Sequence, residues 1–80
     1  MKNPLNYIVK YKIKTTAGET PDIDEIYFSK KTAVTRYLDI LDGSIFPASG
    51  PGSISELAIL QAFKNGTIED ITNKVNKFIA

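Results

Sequence analysis

The sequence predicts a small α+β domain in which an antiparallel sheet, built from two hairpins, carries one packed helix, in the order ββαββ followed by a short C-terminal helix. Three observations lead there. Tyr7 to Lys14 alternate with a period of two, and Ala33, Val34, Tyr37, Leu38 and Leu41 recur at three- and four-residue spacing. Asn65-Gly66 lies between two apolar runs. The 80 residues make a single domain, 1–80, which buries somewhat more than about 60% of the surface of its unfolded chain.

In the first strand Tyr7, Val9, Tyr11 and Ile13 share one face, and Ile8, Lys10, Lys12 and Lys14 share the other. Thr15 to Asp22 carry Gly18 and Pro21 among polar residues, and Ile23 to Phe28 resume a strand pattern. The two segments read as a hairpin with an eight-residue loop. Placing Ile26 and Phe28 on the core face with Val9, Tyr11 and Ile13 puts Lys12 opposite Glu25 and Lys10 opposite Tyr27. Asp24 then ends the apolar row, which requires the hairpin to splay toward solvent there.

Ser29 is placed to cap the helix and Gly43 to close it in the left-handed conformation. Lys31, Thr35, Arg36, Asp39 and Asp42 fall to its solvent side. The segment Gly43 to Ser55 holds three glycines, two prolines and four serines and reads as a connection. From Ser53 to Lys64 two signals compete: Ser53 and Glu56 spell a capping box, whereas Asn65-Gly66 marks a hairpin. The apolar residues there would cover nearly a whole helical circumference. A second hairpin, 56–64 and 67–72 with a type I′ turn, is therefore favoured over a ββαα order with a trailing strand. Thr72 can cap a last helix that presents Val75, Phe78 and Ile79 to the core. The expected core is Val9, Tyr11, Ile13, Ile26, Phe28, Val34, Tyr37, Leu38, Leu41 and Phe78.

Composition narrows the function. No histidine and no cysteine occur, which removes the side chain best suited to proton transfer near neutral pH, thiolate metal sites and disulfides. Asp22, Asp24 and Glu25, and the pair Glu69 and Asp70, lie where strand ends carry charge into solvent, and the expectation is a non-enzyme without metal or cofactor. Neither common glycine-rich phosphate cradle is present, and Gly50-Pro51-Gly52 loses an N–H to its proline. Met1 to Leu5 contain no signal-peptide pattern and no segment reaches transmembrane length, so the expected location is cytoplasmic, with no membrane partner. The sequon Asn65-Gly66-Thr67 accordingly carries no weight.

A net charge of +1 speaks against a general polyanion binder and against an acidic nucleic-acid mimic. Local arrangement supplies three candidates. The face expected to stay open holds Ile8, Lys10, Lys12, Lys14, Glu25 and Tyr27, a mixture suited to a protein partner. Its lysines also allow nucleic acid, although such lysines ordinarily keep a strand soluble. Lys30 and Lys31 oppose the dipole at a helix N-terminus, which marks either an anion site or two solvated side chains. Ile45-Phe46 is an apolar pair in a polar loop, so Phe46 either folds back onto the core or anchors a partner.

By elimination the expected function is stoichiometric, a module that binds another protein and changes what it does. The chain lacks histidine, cysteine and tryptophan and ends on Lys64-Asn65-Gly66-Thr67-Ile68-Glu69-Asp70-Ile71-Thr72, then Asn73-Lys74-Val75-Asn76-Lys77-Phe78. In size and in these features it resembles short host-takeover proteins of phages and mobile elements, anti-CRISPR inhibitors among them. The resemblance implies occlusion of a host protein surface and carries over no functional residue. Many such inhibitors are strongly acidic; this near-neutral chain points instead to steric or allosteric blocking. Pairing of two copies through a sheet edge is a further expectation.

Overall fold

Alternation makes the central strand. In the computed structural model, which describes residues 4–79, β1 (Asn6–Thr15) runs through the middle of the sheet. On one side it pairs antiparallel with β2 (Gly18–Glu19) and β3 (Ile23–Tyr27), and on the other with β4 (Ile54–Ala62). Beyond β4 lies β5 (Ile68–Asp70). The helices α1 (Lys30–Leu41) and α2 (Thr72–Ile79) follow β3 and β5. The second hairpin is present and the helical alternative for residues 54–65 is not. An additional short strand, β2, brings the sheet to five.

The first hairpin differs from its expected register. It closes tightly at Thr16 and Ala17, with Thr15 opposite Gly18 and Lys14 opposite Glu19, rather than through an eight-residue loop. The Thr20 N–H donates to the Ile13 carbonyl at 2.9 Å, and the Thr20 hydroxyl accepts from the Ile13 N–H at 3.0 Å, so a side chain stands in for a ladder carbonyl before Pro21. Beyond this irregularity Val9, not Lys12, lies opposite Glu25, and Tyr7, not Lys10, opposite Tyr27. The displacement is odd, so every β3 side chain changes face. Ile23, Glu25 and Tyr27 share the core side with Tyr11, Val9 and Tyr7. Ile26 and Asp24 lie on the other side, and Ile26 is 58% exposed.

Ser29 caps α1 by accepting from the Thr32 N–H at 3.4 Å, and Gly43 closes it at φ 82 with its N–H on the Ile40 carbonyl. The buried face is Ala33, Tyr37 and Ile40; Val34 and Leu38 are half-buried and Leu41 is exposed. The helix is thus turned by about one position from the expected orientation. The Phe63 to Gly66 turn also departs from type I′: the Gly66 N–H reaches the Phe63 carbonyl at 2.9 Å, and only Gly66 has positive φ. This is a turn followed by a left-handed glycine, and the Asn65 side chain accepts from the Thr67 N–H.

One cluster of Val9, Tyr11, Ala33, Tyr37, Ile40, Ile59, Ile71 and Val75 fills the space between the sheet and both helices. Ile26, Phe28, Leu41 and Phe78 are outside it, corrections that follow from the β3 register and the helix rotations. In α2, Val75 is buried and Asn76 accepts from the Tyr37 hydroxyl at 2.6 Å, which leaves Phe78 92% exposed. The expected packing of Ile79 lies outside the described side chains. Thr72 does not act as a simple cap; its hydroxyl accepts from the Ile59 N–H at 3.0 Å and joins α2 to β4.

Adjacent faces give a direct test. Ile59→Ala, at a fully buried position, lowers stability by about 2–5 kcal/mol. Ile26→Ala changes it by less than about 1 kcal/mol. Urea midpoints for the two variants check the assignment; equal losses contradict it.

Candidate functional site

Beneath α1, β3 presents an inward carboxylate, and a charge there requires partners. Glu25 has them on three elements. Its Oε1 accepts from the Tyr27 hydroxyl at 2.7 Å and from Arg36 Nε at 2.8 Å, and its Oε2 accepts from the Tyr11 hydroxyl at 2.6 Å and an Arg36 terminal nitrogen at 3.0 Å. The bidentate Arg36 guanidinium, helped by the two tyrosine donors against the cost of burial, holds the carboxyl down to about 2. Burial, followed by the neighbouring carboxylate, pushes the Tyr11 hydroxyl up; the hydrogen bond to Glu25 does the same for Tyr27. A carboxylate already accepting four hydrogen bonds, beside two tyrosines that stay protonated, is a clamp between sheet and helix and is poorly disposed to take a substrate proton.

Glu25 and Tyr27 were expected on the open face, and both belong to this clamp instead. Arg36, assigned to solvent by its place on the helix, completes it. Two signals pointed to Arg36: it is the only arginine in the chain, and it adjoins Tyr37 one turn from Ala33 and Ile40.

Both helices pack on the clamp side, and among the described residues no element covers the opposite, bare sheet face. Ile8, Lys10, Lys12 and Lys14 are on it, as expected. Directly paired residues add neighbours from other strands: Ile26 and Leu60 flank Ile8, Ala58 adjoins Lys10, and Ile68 lies opposite Ala62. An unbroken apolar row, Ile26, Ile8 and Leu60, therefore crosses three strands. The lysines beside it are largely neutralised, with Lys10 Nζ 3.8 Å from Asp22 and Lys12 Nζ 3.5 Å from Glu56. Glu56 raises the Lys12 ammonium pKa above its ordinary value.

Phe46 is half-buried and stacks at a tilt on Tyr11, their ring centroids 5.7 Å apart. With Ile54 and Leu57 it lines a hollow of about 390 Å³ near the end of α1. Lys30 and Lys31 lie on a different groove, between α1 and α2. The outer side of β3 has no neighbouring strand among the described residues, and β5 covers only Leu60 to Ala62 of β4. Among the described residues no group of carboxylates has the geometry of a metal site, and no helix is long and apolar enough to cross a membrane.

Comparison of the chain with protein-family models, curated proteins and solved structures finds no match.

The clamp sets a pH dependence. Glu25 has a folded-state value of about 2 against an ordinary 4.5, so its contribution is complete above the ordinary value and is lost as pH falls through 2. Glu25→Gln lowers stability on the order of 2 kcal/mol at pH 7. Chemical denaturation at pH 7 and near pH 2 checks this; the variant's deficit shrinks at the lower pH, and a constant deficit contradicts the charged clamp.

Proposed function

We propose that the chain is a non-catalytic protein-binding module, an inhibitor or regulator of the phage host-takeover kind, which covers the surface of a host protein with its bare sheet face. The observation that supports this reading is the row Ile26, Ile8 and Leu60. In a sheet with one solvated face, the wet side ordinarily alternates to polar residues, yet here isoleucine meets isoleucine on one side and leucine on the other. Apolar area at the centre and the pairs Lys10 with Asp22 and Lys12 with Glu56 at the margin make the mixture expected of a non-obligate interface. The nucleic-acid alternative draws on Lys10, Lys12 and Lys14; carboxylates beside two of the three weaken the positive field it requires.

Ile26→Glu places a charge at a position already 58% exposed, so the fold is retained. Immobilised wild-type chain captures a host protein from a bacterial lysate, and Ile26→Glu reduces that capture by more than about tenfold, equivalent to ~1.4 kcal/mol. Capture that is unaffected by this variant moves the contact off the sheet face. Retardation of DNA or RNA at low salt, abolished by glutamine at Lys10, Lys12 and Lys14, favours the alternative instead.

A further inference from the structure

A second surface is built differently. Between α1 and α2 runs an open, largely apolar groove of about 560 Å³. Its walls are ridges at four-residue spacing. Lys30, Val34 and Leu38 come from α1, while Lys74 and Phe78 lie beside Ile71 and Val75 on the α2 side. Lys30 and Leu38 lie eight residue steps apart, about 12 Å of helix, enough to meet roughly two turns of another helix. Parallel rows of this kind are the surface into which a third helix packs its own ridges.

Charge specifies the occupant. Lys30 and Lys31 make no ion pair among the described residues, unlike Lys10, Lys12, Arg36 and Lys74. They stand on the first turn of α1, where no acidic residue balances the helix dipole. Carboxylates from a partner would relieve the lysines and the dipole together. At the other lip Phe78 exposes 92% of its surface, an aromatic with little to hold it on this chain. We propose that this groove receives an acidic amphipathic helix of a partner protein, its apolar stripe on Val34, Leu38 and Phe78 and its carboxylates against Lys30 and Lys31. This contact is separate from the bare sheet face and does not depend on it.

The test uses fluorescence anisotropy with a labelled peptide of about four helical turns, carrying leucine on one stripe and glutamate beside it, and with a counterpart carrying lysine for glutamate. The glutamate peptide binds saturably and the lysine peptide does not. Lys30→Glu with Lys31→Glu weakens the first by more than about tenfold and confers binding of the second. Because acidic residues favour a helix N-terminus, that double variant keeps α1 folded. Phe78→Ala also weakens binding, while Ile26→Glu leaves it unchanged. No saturable binding up to ~1 mM, or equal binding of both peptides, overturns the proposal. So does co-sedimentation with anionic phosphatidylglycerol vesicles that depends on Lys30 and Lys31 while the peptide fails to bind.

Discussion

The Glu25 carboxylate is the constraint from which the arrangement of faces follows. It lies on the core side of a five-residue strand, where a half-buried charge needs hydrogen-bond partners. Four donors from β1, β3 and α1 surround it. Tyr11 supplies a hydroxyl from the central strand β1, Tyr27 one from β3 two residues beyond Glu25 itself, and Arg36 a two-pronged guanidinium from the helix above. Sheet register and helix rotation are thereby coupled. Shifting β3 by one residue would carry Glu25 to the opposite face and leave Arg36 without its acceptor.

The surfaces are consequences of that coupling. With Glu25 inward, Ile26 is outward, and it joins Ile8 and Leu60 in an apolar row on the bare face. With Arg36 drawn down, α1 buries Ala33, Tyr37 and Ile40 and turns Val34 and Leu38 toward α2. Tyr37 reaches Asn76, which fixes the second helix beside the first. The groove and the sheet face therefore lie on opposite sides of the molecule and are set by one polar cluster. Burial of an ion pair often contributes less to net stability than apolar packing of the same volume; here the pair ties the observed β3 register to the observed rotation of α1.

Local pattern made much of the fold legible. Ser29 and Gly43 bound α1, alternation from Tyr7 to Lys14 marks β1, and Asn65-Gly66 joins the second hairpin. The register of the first hairpin was not legible because hydrophobicity favoured Ile26 and Phe28 over Glu25 as core-side residues, and a half-buried glutamate on that side is acceptable only through partners eleven and fourteen residues away. Its turn was hidden as well. Thr16 and Ala17 carry no turn signature, and Thr20 replaces a backbone acceptor with its hydroxyl. Phe78 reads as a core residue by helical spacing; Asn76 and its bond to Tyr37 set the rotation that exposes it. Alternation alone puts Ile8, Lys10, Lys12 and Lys14 on one face of β1, while Glu25 and Tyr27 changed face with the register.

Whether Glu25 is enclosed by Arg36, Tyr11 and Tyr27 decides the register, the helix rotation and both surfaces together. Its side-chain carboxyl ¹³C shift, followed by NMR as a function of pH in selectively labelled protein, reads that environment directly. With Glu25 held by Arg36 and the two tyrosines, the titration midpoint is about 2. A midpoint near the ordinary value of 4.5 would place Glu25 on the solvated face and contradict the clamp.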